Sequence, residues 1–236
     1  MNASLSQPTH PVRVAWAQAL PIVFGYLPVG FAFGILAIKA GVSPWNTLAM
    51  SLMVFAGSAQ LIAVGLIAAG ISPWTIIATT FVVNLRHLLM SAALSPSLRG
   101  WRRPLLAFFA FQLTDETFAV HSARFSAGPA RIAETLAINV IAQAAWVAGT
   151  WLGIAAGDLV QDVRPFGLDY ALVAMFAALL VFQVKDRRAL AVAVFSGLLS
   201  TALRLAGLDQ WNVLAAAFLG ATAGVLIETW TNASSS

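Results

Sequence analysis

The residues best suited to chemistry stand in two short stretches, Asn84-Leu85-Arg86-His87 and Gln112-Leu113-Thr114-Asp115-Glu116. Both interrupt apolar runs. Arg86 is the one cation deep inside such a run. A charge at mid-membrane depth costs about 2.5 kcal/mol or more even on the insertion scale, and by default it marks function. An arginine there needs an acidic partner or an anionic group on a substrate. Asp115 and Glu116 are the deep acids of the neighbouring runs. At helical spacing Asn84, His87 and Ser91 share one face, while Arg86 points largely away from Asn84. Gln112, Asp115 and Glu116 fall within an arc of about 100°. Two adjacent carboxylates in low dielectric oppose each other's ionisation, so one proton shared between them fits the pattern. Two readings stand side by side: a static ion pair with Arg86, and a site for a substrate ammonium group or a coupling proton.

Other candidates flank these. The run Pro21-Ile22-Val23-Phe24-Gly25-Tyr26-Leu27-Pro28-Val29-Gly30-Phe31-Ala32-Phe33-Gly34 holds two prolines and three further glycine positions. Each proline removes an amide donor and clashes with the preceding turn. The spacing therefore predicts a kinked or interrupted helix, whose freed backbone groups need protein or a polar cavity around them. Gly30 and Gly34 also form a GxxxG pair that allows close helix approach. Gln60, in Phe55-Ala56-Gly57-Ser58-Ala59-Gln60, is an amide fit either to bind neighbouring helices together or to hold a ligand. Thr135, Asn139, Gln143, Trp146 and Thr150 form a polar face at helical steps. In a membrane that face must turn to a partner helix or to a substrate path. Ala216, Gly220 and Gly224 make a small-residue packing seam.

These residues need scaffolding, and composition says which kind. Of 236 residues 60% are hydrophobic and 9% charged, with mean hydropathy +0.84. Soluble domains carry about 25% charged residues, so a water-soluble globule and a disordered chain are both excluded. The chain reads as an all-α polytopic membrane protein. Eight apolar segments run over about 16–38, 46–70, 74–95, 104–121, 134–156, 168–183, 189–206 and 211–230, each long enough to be helical at about 20 residues per crossing. Apolar runs rich in Ala and Leu, without strand alternation, reject a β-barrel. Residues 1–15 read as a disordered tail, 16–230 as one integral-membrane transporter domain, and 231–236 as a polar tail.

Charge places the segments. If all eight cross, the loop cations divide six against six. If 104–121 enters and returns on one side, Lys39, Arg99, Arg102, Arg103, Arg124, Arg131, Lys185, Arg187 and Arg188 gather on one face, nine against three. That is the cytoplasmic excess of the positive-inside rule. About seven transmembrane helices plus one re-entrant or broken segment are expected, with the N-terminus outside and the C-terminus inside. The net charge of +4 thus reads as topology, not as nucleic-acid binding. A recurring pattern, Gly41-Val42-Ser43-Pro44-Trp45, Gly70-Ile71-Ser72-Pro73-Trp74 and Gly207-Leu208-Asp209-Gln210-Trp211, reads as a repeated helix start or as divergent repeats.

Cysteine is absent, which removes disulfides, thiol nucleophiles and thiolate metal sites. There is no P-loop, no HExxH and no metal-spaced cluster, so no cofactor and no metal are expected. An enzyme is not expected; the rival reading is an intramembrane serine hydrolase pairing Ser58 with His87 or His121, and another is a passive channel or scaffold subunit.

The motifs together resemble the AzlC family, the large subunit of a two-component branched-chain amino acid exporter linked to azaleucine resistance. The resemblance rests on Pro21 to Gly34, on Phe55 to Gln60, on Asn84-Leu85-Arg86-His87-Leu88-Leu89-Met90 and on Leu113-Thr114-Asp115-Glu116-Thr117, and covers about residues 16–125. It implies a permease of the bacterial inner membrane exporting leucine, isoleucine, valine or similar solutes, working with a small hydrophobic partner of the AzlD type. A zwitterionic substrate suits the residues: amides freed at the first-segment break would bind its carboxylate. Asp115 or Glu116 would take its ammonium group or a coupling proton.

Overall fold

The computed structural model describes residues 11–129, 131–157, 159–160, 167, 170, 173–174, 177, 180–181, 184, 186–208, 215–216 and 218–225. Among these, every regular element is helical. In chain order they are α1 (Pro11–Lys39), α2 (Pro44–Ala49), a π turn (Met50–Val54), α3 (Gly57–Ala68), α4 (Pro73–Leu94) running into a 3-10 turn (Ser95–Leu98), α5 (Arg103–Phe111), α6 (Asp115–Ala127), α7 (Ile132–Ala156) and α8 (Arg187–Leu205). Among the described residues, four stretches are long and apolar enough to cross a membrane: Val12–Lys39, Pro73–Leu98, Ile132–Ala156 and Arg187–Leu205. Most of the segment 168–183 and half of 211–230 lie outside the described residues, as do residues 1–10 and the C-terminal tail.

The chain divides into two compact units, Met1–Leu172 and Val173–Ser236. In the second unit, a side chain at Gly220 would strike Ser196 of α8, and one at Gly224 would touch Val192. The small-residue seam there is a packing surface. All the candidate chemistry lies in the first unit.

That unit is built around α1 and α7, its most extensively packed pair. Gly30 and Gly34 on α1 meet Gly149 and Gly153 on α7 backbone to backbone. A Cβ on Gly30 would stand 2.7 Å from the Trp146 carbonyl oxygen; one on Gly34 would run into that of Thr150 and one on Gly153 into that of Phe31. Only glycine permits this approach.

Two expectations are corrected. First, the kinked or interrupted helix expected over Pro21 to Gly34 is not interrupted: α1 runs unbroken from Pro11, inside the stretch read as a tail, to Lys39. Pro21, Gly25 and Pro28 lie on its exposed side, whereas Ile22, Tyr26, Gly30, Phe33 and Ala37 form its buried stripe. Each proline deletes one backbone bond where nothing packs, and the buried face carries the helix through. Second, the segment 46–70 is broken between Val54 and Gly57. Phe55 sits in the left-handed region at φ 45°, a conformation that non-glycine residues seldom hold. Its ring is buried edge-on against Tyr26. The segment 104–121, expected to be re-entrant or broken, is two helices separated at Gln112, Leu113 and Thr114, and α6 continues to Ala127, past the expected end.

Two of the three similar pentapeptides are helix corners. Gly41 and Gly70 turn the chain with φ of 82° and 67°. Ser43 and Ser72 then accept from the Asn46 and Thr75 amides at the starts of α2 and α4, each followed by a proline. In the third, Gly207 (φ 89°) follows α8, and Asp209, Gln210 and Trp211 lie outside the described residues.

Candidate functional site

The two breaks face one another across α1 and α4. At the second, α6 opens with a capping box: the Thr117 amide donates to Thr114 Oγ1 at 3.3 Å, and the Thr114 amide donates to Thr117 Oγ1 at 2.8 Å. Asp115 and Glu116 fill the first turn of α6, where the helix dipole favours negative charge.

Arg86 reaches both breaks. Its Nη1 pairs with Asp115 Oδ2 at 2.9 Å, and its Nη2 donates to Ser58 Oγ in the first turn of α3. The two charged side chains are 26% and 16% exposed, so the pair is open on one side and not sealed in a core. Arg86 Nε is buried with no partner.

Tyr26, from the buried stripe of α1, completes the group. Its hydroxyl lies 2.6 Å from Glu116 Oε2 and 2.6 Å from Thr114 Oγ1. A phenol has one proton to give. When Glu116 is ionised, the tyrosine donates to the carboxylate and accepts from Thr114. When Glu116 carries a proton, the direction of both bonds reverses without movement of heavy atoms. The ring is fixed by edge-on contacts with Phe55 at 6.1 Å and Trp146 at 5.4 Å between centroids.

The polar face of α7 braces these parts. Gln60 donates to Ser51 at 3.2 Å, Ser51 and Thr150 are 2.8 Å apart, and Thr150 donates to the Trp146 carbonyl at 2.9 Å. Gln112 donates to Gln143 at 2.8 Å, and Gln143 donates to the Leu52 carbonyl at 3.0 Å. Gln143 therefore ties the second break to the π turn that precedes the first. Further along, Asn139 accepts from His121 at 2.7 Å, and Glu134 is clamped by Arg124 at 2.6 Å and Arg131 at 3.1 Å.

Arg86, Asp115 and Glu116 thus come together as the sequence suggested, and Gln60, Gln112, Gln143 and Thr150 support them. Pro21, Gly25 and Pro28 stand apart on the outer side of α1, and Gly30 and Gly34 serve the helix seam. Asn84 and His87 are outside the cluster: His87 Nδ1 donates to the Asn84 carbonyl at 3.0 Å, and Asn84 Oδ1 has no partner. Ser58 is bonded to Arg86, while His87 and His121 bond elsewhere. No Ser–His pair forms among them. Sequence reasoning missed Tyr26 as a site residue. The available signal was a tyrosine four residues from each of Ile22 and Gly30, on the face that packs.

The two breaks differ in how their helix starts are served. The residue before α3, Ala56, has no side-chain oxygen for the first turn, and Trp146, whose ring packs on Gly57, has a buried indole N–H without a partner. Donors are in excess at this end, and acidic groups are in excess at the start of α6. The family model for the AzlC protein matches residues 21–160, which include the whole cluster.

The chain belongs to the AzlC family.

Its relatives agree. An uncharacterized membrane protein of Archaeoglobus fulgidus is 35% identical, over 92% of this chain and 94% of its own. Inner membrane protein YgaZ of Escherichia coli is 30% identical over 89% and 86%. The branched-chain amino acid transport protein AzlC of Bacillus subtilis is 28% identical over 85% and 79%. No solved structure matches significantly. This AzlC-family chain is a multi-pass helical membrane protein, and its family match extends through α7, beyond the motifs that carried the resemblance.

Proposed function

We propose that this chain is the permease subunit of a branched-chain amino acid exporter in a bacterial inner membrane. The observation that carries the reading is the convergence of two helix breaks on Arg86, Tyr26, Asp115 and Glu116. Broken helices at mid-membrane depth are how transporters offer backbone and charge to a solute. The start of α3, without a side-chain cap and with Arg86 beside it, takes the substrate carboxylate. Glu116 and Tyr26 take the ammonium group or exchange a proton. The Bacillus subtilis relative's name supplies the substrate class. Secondary, proton-linked transport accords with the reversible Tyr26–Glu116 bond and with the lack of a P-loop. Eight apolar segments with seven crossings, loops around Arg102, Arg131 and Arg187 in the cytoplasm, and a small hydrophobic partner of the AzlD type belong to the same proposal.

The test is leucine efflux from cells carrying this chain with a small hydrophobic partner subunit, comparing wild type, Glu116→Gln and Asp115→Asn. Wild-type efflux should collapse with a protonophore. Glu116→Gln should keep membrane abundance, yet lose the dependence on the proton gradient. Asp115→Asn should lose abundance, because Arg86 is left unpaired. Normal gradient-driven efflux by Glu116→Gln sinks the proton role. Wild-type efflux that never runs against a leucine gradient returns the reading to a passive channel.

A further inference from the structure

The helix α4 has three faces. At 100° per residue, buried Met90 and Leu94 share one arc with Arg86. These two cluster with Phe109 of α5, with Leu113 and with Phe118 of α6, and Arg86 reaches Ser58 of α3. The opposite arc holds Ile77, Phe81, Leu85 and Leu88, all exposed, as suits lipid. Between them, Thr80, Asn84, His87 and Ser91 occupy a strip about 60° wide. All four are half-buried.

A half-buried polar strip at membrane depth is paid for only if it meets protein or water. Thr80 satisfies its hydroxyl on its own helix, donating to Ile76 O at 2.8 Å and Ile77 O at 3.1 Å. Asn84 does not: Oδ1 is buried and has no partner. His87 donates through Nδ1 to Asn84 O, which fixes the tautomer and leaves Nε2 as a bare acceptor. A buried acceptor without a protein partner is where an ordered water or a solute group belongs. Asn84 adjoins the middle of the Pro73–Leu98 span, about 3 Å along the helix axis from Arg86, and His87 follows Arg86 directly in the chain. From Asn84 to Ser91 the strip climbs about 10 Å, toward the end of α4 that leads to Arg99, Arg102 and Arg103.

The geometry points to a hydrated path along Asn84, His87 and Ser91, by which a small polar solute reaches the Arg86–Asp115 pair from the Arg99–Arg103 side. The inference rests on the transport reading only for what travels the path. Water lines the strip whether or not the solute is an amino acid.

The chain has no native cysteine, so single cysteines report directly. Asn84→Cys, His87→Cys and Ser91→Cys are compared with Phe81→Cys, Leu85→Cys and Leu88→Cys in inside-out membrane vesicles, using a cationic methanethiosulfonate reagent. Strip cysteines should react about tenfold faster or more than those of the apolar arc. Ser91→Cys exchanges a single atom and preserves the fold if the other two do not. Equal rates in both sets overturn the path. So does a strip that resists the reagent but crosslinks to a helix of another subunit, which would make it a helix interface. Fast labelling slowed by leucine supports both the path and the amino acid assignment. Fast labelling that no branched-chain amino acid slows supports the path and overturns that assignment.

Discussion

Two helix breaks meet at Arg86, one before α3 and one before α6, and they are finished in opposite ways. The start of α6 is closed from within: Thr114 and Thr117 exchange side-chain and backbone bonds, and Asp115 and Glu116 put negative charge on the positive end of the helix. The start of α3 is left open, with Ala56 ahead of it and with Ser58 held by a cation. A helix start that is capped and charged needs no ligand. One that lacks a cap inside a membrane has amide donors to offer. The difference assigns the breaks different work: α6 presents acid groups, and α3 presents donors.

Removing the residue that links the two should have the largest effect. Arg86→Ala strands Asp115 and frees Ser58. Losing one member of a largely buried ion pair costs about 3–5 kcal/mol, so membrane abundance on immunoblots should fall and leucine efflux should vanish. Near-normal abundance and efflux would show that the two breaks are independent. Thr114→Ala should act less. It deletes the cap of α6 and one contact of Tyr26, for a loss of about 1 kcal/mol, read as a lowered midpoint of thermal unfolding in detergent. Thr114→Ser should restore it. Ala56→Ser should have the smallest effect and the opposite sign. A cap supplied to α3 should raise stability by about 0.5–1 kcal/mol while weakening leucine recognition, seen as a raised half-saturation concentration at unchanged abundance. If Ala56→Ser leaves recognition intact, the start of α3 is not the carboxylate site, and the contrast between the breaks is only architectural.

The charge cluster was legible because burying an arginine demands a partner, and few acids were within reach of Arg86. The polar stripe of α7 was legible as a face turned to a partner helix or to a substrate path, but its particular partners were not. Periodicity says that Asn139, Gln143 and Thr150 look one way; it does not say that Gln143 would find the Leu52 carbonyl, since that carbonyl is available only where the chain before Phe55 leaves α-helical geometry. One break, that at Phe55, was misassigned for the converse reason, while the break in 104–121 was read from its charges. Pro21 and Pro28 announce a broken helix, yet they fall on the outer side of α1, where a missing bond disturbs no packing. Phe55 announces nothing, because phenylalanine is a poor candidate for a left-handed backbone. It is held there by tertiary contacts of its ring with Tyr26, and such contacts are invisible to local propensity.

The glycine seam between α1 and α7 has a mechanical consequence. Where side chains interdigitate, two helices can slide by changing rotamers. Where Gly30, Gly34, Gly149 and Gly153 set backbone on backbone, there is no rotamer to change, and a small displacement drives carbonyl oxygens into Cα atoms. The pair therefore behaves as a stiff post. A rearrangement of the Arg86–Asp115 pair would be taken up outside this seam, in elements such as the helices on either side of Phe55 and Leu113 that are not set backbone on backbone.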